Sequence, residues 1–185
     1  MKVTPMSLPE VLLVEPDRFG DARGYFMETW REERYRAAGI ALPFVQDNLS
    51  RSARGILRGL HLQNPHAQGK LVYVLEGEVF DVAVDVRVGS PSFGKWTGAL
   101  LSSEDHRQLW IPPGYAHGFC VTSETALFAY KCTAAYSAAD EVGVLWNDSA
   151  IGIPWPVASP RLSAKDAALP RLADIDAERL PRFEG

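Results

Sequence analysis

The sequence predicts a mostly β domain, built as a sandwich or a barrel, and three observations support this prediction. Short apolar runs fill the middle of the chain, and Gly and Pro residues separate them at the spacing typical of all-β folds. Within 78–86, Val82 and Val84 alternate with Asp81 and Ala83, as on a strand with two distinct faces. No internal repeat or low-complexity tract interrupts the pattern. The predicted strands are 11–15, 44–50, 56–63, 70–76, 78–86, 97–102, 107–112, 117–123 and 126–133.

Two helices are predicted, both short and peripheral to the strands. Thr29 is a candidate N-cap for a helix that ends at Gly39. Ser163 is a candidate N-cap for a second helix over 163–168, which Pro170 stops.

Gly77 predicts a hairpin turn between the two strands on either side of it, because glycine tolerates positive φ. The whole chain fits one domain that spans residues 1–185. We expect a barrel core at about 44–134 and a C-terminal extension at about 150–185.

Composition excludes several classes of protein. The net charge of -4 provides no general basic field, so we expect no nucleic-acid partner, although a local basic site for a diphosphate is compatible with it. Cys120 and Cys132 are the two cysteines and read as small core residues. The apolar run at 11–15 is too short for a signal peptide or a membrane span, so we expect a cytoplasmic protein with no membrane partner.

Two of the four histidines lie inside predicted strands, where each reads either as a hydrogen-bonded core residue or as a functional group. Strand alternation places His61 opposite an apolar face, and Gly59 beside it is expected to leave space for a ligand. His117 follows a Pro- and Gly-rich entry that fixes its direction, and strand alternation permits it to pair with Asp81 across the barrel. His66 and His106 fall in turn-like stretches and are expected at the surface.

The spacing Pro112-x-Gly114-x-x-His117 resembles the second short motif of cupin barrels. Where metal-binding cupins carry His-x-His and a later Glu, this chain has His61-Leu62-Gln63 and then Lys70. An amide and a cation are poor ligands for a transition metal, so we expect no metal. Histidines retained without a metal favour acid–base chemistry.

Longer segments resemble the dTDP-4-dehydrorhamnose 3,5-epimerase family, in the family's order, over about residues 17–170. The resemblance implies a cupin-type jelly-roll barrel with short peripheral helices, usually a homodimer, without metal, nicotinamide or other cofactor. It implies conversion of dTDP-4-keto-6-deoxyglucose to dTDP-4-keto-L-rhamnose by inversion at C3 and C5. The segments are FGDARGYFMETW, FVQDNLSRSARGILRGLHLQ, AQGKLVYVLEGEVFDVAVDVR, SPSFGKW, QLWIPPGYAHGF, YKCTAAY, WNDSAIGIPWP and LSAKD.

The resemblance also implies the catalytic roles, which suit inversion beside a ketone. His61 matches the base, and histidine as a residue type suits proton removal at neutral pH. Asp166 matches the carboxylate that orients the base, although the residues alone favour an exposed helix position for it. Lys70 matches the cation that stabilises the enolate, and Tyr130 matches the general acid, protonated at neutral pH.

A dTDP-hexose also needs binding residues, and Arg suits its phosphates. Strand alternation places Arg58 opposite His61, so Arg58 reaches the same cavity only if a bulge intervenes, or else serves a partner subunit. The segment from Arg23 to Glu28 is expected near the partner's site. The expected binding residues, with Tyr136 stacking on the base, are Arg23, Glu28, Gln46, Asp47, Asn48, Arg58, Lys70, His117, Tyr136, Glu141 and Lys165.

Three other functions remain open from the sequence. A relative that inverts one carbon, or isomerises the ketone, of another dTDP-4-keto-6-deoxyhexose can keep the same residues. A non-catalytic sugar-binding cupin would not need a base with a carboxylate partner and a separate acid. A metal-dependent cupin oxygenase is disfavoured by Gln63 and Lys70.

Overall fold

A computed structural model describes residues 1–184 and consists mainly of short strands. Two α-helices, α1 (Glu32–Ala37) and α2 (Ala164–Ala167), and two 3-10 helices (Leu172–Asp174 and Ala177–Arg179) lie outside the sheets. None of these helices has the length and apolar character needed to span a bilayer. The strands are β1 (Lys2–Pro5), β2 (Leu12–Glu15), β3 (Arg18–Asp21), β4 (Gly24–Met27), β5 (Gln46–Ala53), β6 (Leu57–Gln63), β7 (Lys70–Glu76), β8 (Glu78–Asp85), β9 (Trp96–Ser102), β10 (Gln108–Ile111), β11 (Tyr115–Val121), β12 (Thr125–Cys132) and β13 (Glu141–Gly143).

The strands form two facing antiparallel sheets and a separate β3–β4 hairpin. One sheet has the order β1-β2-β10-β7-β12-β5, and the other has the order β13-β6-β11-β8-β9. The mostly β prediction is confirmed, and within residues 1–184 the jelly roll is an open one, since no strand belongs to both sheets. The core between the sheets joins Val72 and Phe128 of the first to Ala83 and Phe119 of the second.

The C-terminal segment covers the outer face of the second sheet. Val82 and Val84 of β8 pack there against Ile151, Leu172 and Leu180. Both faces of β8 are therefore buried, including Asp81 and Asp85 on the face opposite Val82 and Val84.

The predicted hairpin at Gly77 is wrong. The residue adopts φ +81, as the turn chemistry requires, but β7 and β8 belong to opposite sheets and do not pair. A Cβ at Gly77 would lie 2.0 Å from the carbonyl oxygen of Thr125, so the crossing is too close for any larger residue. A glycine between two apolar runs does not distinguish a hairpin from a crossing between sheets.

The two helix predictions had different outcomes. Ser163 caps α2, and its Oγ accepts the Asp166 backbone N–H at 3.0 Å, as expected. Thr29 is not the cap of α1, which begins after Arg31 without a side-chain cap. The Thr29 carbonyl instead accepts hydrogen bonds from the buried hydroxyl of Tyr35 and from the Gln108 amide, and so anchors the segment before the helix.

Candidate active site

Two adjoining cavities open at one side of the sandwich, and we call them together the central groove. The larger has a volume of about 520 Å³ and the smaller about 250 Å³, and both are lined by His61, Lys70 and Tyr130. The larger is also lined by Ser50, Ile56, Leu57, Arg58, His117, Phe119, Phe128, Arg161, Leu162, Ser163, Lys165 and Asp166. The smaller is also lined by Gln46, Asn48, Leu62, Gln63, Gln68, Cys132, Tyr136 and Glu141.

His61 and Asp166 form a hydrogen-bonded pair in the larger cavity. The His61 Nε2 lies 2.8 Å from the Asp166 Oδ1, and Asp166 is 4% exposed. Burial acts to raise the pKa of Asp166, but the hydrogen bond and charge of His61 outweigh it and lower that pKa. An ionised Asp166 therefore accepts from Nε2–H and leaves the Nδ1 of His61 as the basic nitrogen.

Asp166 reaches His61 because α2 is anchored at its first turn. Ser163 caps the helix, and the Gly59 backbone N–H lies 3.5 Å from the second carboxylate oxygen, Oδ2. The alternative of an exposed helix residue is excluded by this burial.

We predict that Asp166→Asn lowers turnover less than deletion of His61 does. The uncharged amide that replaces the Asp166 carboxylate does not fix the tautomer of His61, but the imidazole itself remains in place. We expect a loss smaller than the roughly 10²–10⁴-fold cost of losing a positioned general base. Steady-state kinetics measure it, and turnover equal to wild type would remove Asp166 from the mechanism.

A bulge in β6 brings Arg58 to the same side as His61. His117 of β11 pairs with His61 and Phe119 pairs with Arg58, so three steps along β6 match two along β11. The extra residue reverses the alternation, and both side chains line the larger cavity. Of the two alternatives left by the sequence, the bulge is the one observed.

The expected role of Gly59 in leaving room for a ligand is wrong. The residue adopts φ +125 within the bulge, and an added Cβ would lie 2.6 Å from the Gly118 Cα. The neighbouring backbone of β11 therefore fills the space, and Gly59 serves the close approach of two strands.

Lys70 places a buried cation against the groove. It is 8% exposed, and burial lowers its pKa. Cys132, Asp81 and Glu141 oppose this shift through space only, without a hydrogen bond to the ammonium. A cation desolvated in this way is stabilised by an anion that enters the cavity, whether a phosphate or an enolate oxygen.

Lys70→Met is expected to stabilise the fold while it impairs turnover. The native pKa of Lys70 lies below its ordinary value of 10.5, so the unfolded chain binds more protons between the two values. Wild-type stability should rise with pH through that window, and the variant should be more stable by roughly 0.5–2 kcal/mol below it. Denaturant unfolding at pH 7 and pH 10 checks this, since the difference must shrink at the higher pH.

Tyr130 projects from β12 into both cavities beside Phe128. Burial raises the pKa of its phenol, so the hydroxyl stays protonated at neutral pH. Within the described chain that hydroxyl donates to no protein acceptor, in contrast with Tyr115, whose hydroxyl contacts Arg87 and Glu10. The Tyr130 proton is therefore available to a bound molecule.

His117 and Asp81 form the predicted pair at the floor of the groove. The His117 Nε2 lies 3.0 and 3.1 Å from the two carboxylate oxygens. Burial raises the pKa of Asp81 and lowers that of His117, while each partner's charge opposes the effect. The two residues lie on neighbouring strands of one sheet rather than across the barrel as expected.

The smaller cavity has a polar rim. Tyr136 donates its hydroxyl to Glu141 at 2.9 Å, and Lys165 forms an ion pair with the same carboxylate. Gln46 and Asn48 project from β5 into the same cavity and hydrogen-bond to each other. These predicted binding residues therefore line one continuous surface with the catalytic candidates.

Three predicted binding residues lie outside the central groove of their own chain. Arg23 pairs with Asp21 at the tip of the β3–β4 hairpin, and Glu28 pairs with Arg34. Asp47 points to the other face of β5, where it pairs with Lys131. Strand alternation separates Asp47 from its neighbours Gln46 and Asn48, so Asp47 does not line the central groove of its own chain.

Among the residues of the larger cavity that the sequence interpretation missed are the polar residues Ser50 and Arg161. Ser50 Oγ is buried and has no hydrogen-bond partner within residues 1–184. The period of two along β5, from Gln46 through Asn48, would have identified Ser50. Arg161 is brought in by a bridge to Ile56, for which the sequence carries no signal.

No group of three His, Cys, Asp or Glu side chains in the described residues is arranged to hold a metal ion. Cys120 and Cys132 are both buried and free, as expected.

Comparison with known proteins gives one family. The family model for dTDP-4-dehydrorhamnose 3,5-epimerase matches residues 5–174. The enzyme of that name from Shigella flexneri is 53% identical over 178 residues, 95% of this chain and 98% of the relative. The one from Salmonella typhimurium is 54% identical over 175 residues, 93% and 96% of the two chains.

A solved structure agrees with these relatives. The dTDP-6-deoxy-D-glucose-3,5-epimerase of Legionella pneumophila, in complex with dTDP-4-keto-L-rhamnose, is 50% identical and superposes with a TM-score of 0.97. The match covers 100% of this chain and 99% of that one. Since sequence and fold agree over nearly the whole length, the chain belongs to the dTDP-4-dehydrorhamnose 3,5-epimerase family.

Proposed function

We propose that this protein is an isomerase that inverts C3 and C5 of dTDP-4-keto-6-deoxy-D-glucose to give dTDP-4-keto-L-rhamnose. The observation that carries the proposal is a base with a buried carboxylate behind it, His61 with Asp166, facing the same cavity as a protonated phenol, Tyr130. Inversion of a carbon requires a proton to leave on one face and return on the other. A base and an acid that line the same cavity meet that requirement.

In the proposed reaction, the Nδ1 of His61 removes the proton from the carbon beside the ketone. The electron pair of the broken C–H bond moves into a carbon–carbon double bond, and the ketone oxygen becomes an enolate. The buried Lys70 ammonium stabilises that negative charge. Tyr130 then donates its proton to the opposite face of the carbon as the ketone re-forms. Solvent reprotonates the phenolate, and His61 releases the abstracted proton to solvent. The same cycle at the second carbon completes the conversion.

The nucleotide portion fits the rest of the groove by charge. Arg58 and Lys165 supply cations for the diphosphate at the wall of the larger cavity. Tyr136, exposed at the rim of the smaller cavity, offers an aromatic face to the thymine base.

NMR of dTDP-4-keto-6-deoxyglucose incubated with the protein in deuterated water tests the function. Deuterium at both C3 and C5, with full activity in excess chelator, is the expected result. Deuterium at one carbon only would replace the proposal by one-carbon epimerisation. No exchange at either carbon would favour a non-catalytic binding protein. Loss of turnover on chelation, restored by one added metal, would contradict the metal-free mechanism.

We also propose that the protein works as a homodimer through the β3–β4 hairpin. Phe19 and Phe26 face each other across this hairpin and are 64% and 70% exposed, with Tyr25 exposed beside them. An exposed aromatic patch of this kind is typical of an interaction surface. A second copy is the proposed occupant, because Arg23 and Glu28 on the same segment lie outside their own groove and would supply the partner's.

Phe26→Ser is expected to weaken the dimer and to raise the KM for the substrate together. Removal of a central aromatic anchor should raise the dimer dissociation constant by roughly 30-fold or more. Light scattering and steady-state kinetics over a concentration series measure the two effects. Phe93→Ser, at an exposed position outside the hairpin, is the control. A wild-type monomer at micromolar concentration would contradict the proposal.

A further inference from the structure

Gln63 stands where metal-binding cupins have their second histidine, and its side chain is hydrogen-bonded to the backbone of two loops. It ends β6 and is 3% exposed. Its Nε2 donates to the carbonyls of His66 at 2.9 Å and Ala135 at 3.2 Å, and its Oε1 accepts the Ser137 backbone N–H at 2.9 Å. Both N–H groups and the oxygen of this amide therefore have backbone partners, two of which lie at Ala135 and Ser137.

The loop that Gln63 holds is the connection between β12 and β13, residues 133–140. It carries Tyr136, whose backbone N–H donates to the side chain of Gln46 at 2.8 Å. Two bonds from Gln63 flank Tyr136 on either side, at Ala135 and Ser137. Because Tyr136 itself is 57% exposed, packing contributes little to its position, and these polar contacts fix it instead.

Gln63 lies on β6 two residues after His61 and lines the smaller cavity with it. One strand thus carries both the proposed base and the attachment of the loop at the far end of the groove. Because the loop is attached to β6, which also carries His61, the distance between His61 and Tyr136 is held constant.

We propose that Gln63 is a positioning residue that sets the affinity for the nucleotide part of the substrate by holding Tyr136 over the smaller cavity. The inference rests on the proposed function, in which Tyr136 meets the thymine base. Gln63 itself does not touch the reacting carbons, so its loss acts on nucleotide binding and not on the proton transfers.

Gln63→Leu tests the proposal, because it keeps the volume of the side chain and deletes all three hydrogen bonds. We expect the Kd of dTDP, measured by calorimetry, and the KM of the substrate to rise about tenfold or more, as for the loss of one net hydrogen bond. The kcat and its pH profile should remain near those of wild type. Gln63→Met is a second variant of similar volume should the first not fold.

Two further measurements separate positioning from a general structural effect. In a double-mutant cycle with Tyr136→Ala, Gln63→Leu should add little, since it acts through Tyr136. Gln108→Leu is the matched control, because Gln108 is an equally buried amide bonded to Tyr35 and Thr29, away from the groove. It should lower stability and leave the Kd of dTDP unchanged.

Additive losses in the cycle, or a fall in kcat at unchanged KM, would overturn the proposal. Hydrogen exchange of the free protein gives a readout that does not depend on the nucleotide. The amides of 133–140 should exchange faster in Gln63→Leu than in wild type, and equal rates would also overturn it. Wild-type protein that turns the substrate over but does not bind dTDP contradicts this inference alone, whereas wild-type protein without turnover contradicts the proposed function.

Discussion

Replacement of His61 by Ala is expected to abolish both epimerisation and exchange of the substrate's carbon-bound hydrogens with solvent. His61 Nε2 is committed to Asp166, so Nδ1 is the nitrogen that would receive the proton, and no other imidazole of comparable exposure lines the groove in the described residues. Loss of a positioned general base costs roughly 10²–10⁴ in rate. NMR in deuterated water and steady-state turnover measure the two losses on one sample.

The variant must be folded for this result to count. Removal of the imidazole leaves the buried Asp166 without its main partner, which should lower the free energy of unfolding by about 1–3 kcal/mol. Thermal unfolding therefore accompanies the assay. His66→Ala is the control, since His66 is an exposed histidine that also pairs with an aspartate, Asp140, but outside the groove. Exchange at near wild-type rate in folded His61→Ala would remove His61 as the base.

Most of the sheet strands could be predicted from the sequence because each contains a run of buried apolar residues between turn residues. Each predicted apolar run overlaps one of the strands β2 and β5 to β12, with ends that differ by up to three residues. The four that were missed, β1, β3, β4 and β13, have only three or four residues and little alternation between buried and exposed positions. They form at an edge or in the separate hairpin, where pairing rather than a buried face defines the strand.

The local part of the site could be predicted in the same way, and the non-local part could not. The direction of Tyr130 follows from the period of two in β12. The contact between His61 and Asp166 joins residues 105 apart in sequence, and only the family resemblance indicated it. Arg58 was misplaced by alternation because the bulge depends on the close approach of β11 at Gly59, which no local pattern records.

Tyr130→Phe is expected to separate the two proton transfers that His61→Ala removes together. The change keeps the ring against Phe128 and deletes only the hydroxyl. Turnover should fall by roughly 10²–10⁴, the usual loss of a positioned acid. Exchange at carbon should survive, since His61 can still remove a proton and return a deuteron to the same face. NMR in deuterated water then shows labelled substrate without inverted product.

The free energy of unfolding distinguishes the loss of an acid in Tyr130→Phe from damage to the structure. The Tyr130 hydroxyl donates to no acceptor in residues 1–184, so its deletion leaves no protein group unsatisfied and should not lower the free energy of unfolding. Tyr115→Phe is the matched control with the opposite expectation. Its hydroxyl is hydrogen-bonded to Arg87 and Glu10 outside the groove, so the variant should lose stability and keep its turnover. If Tyr130→Phe loses exchange while His61→Ala retains it, the two residues have exchanged roles and the proposed direction of proton transfer is wrong.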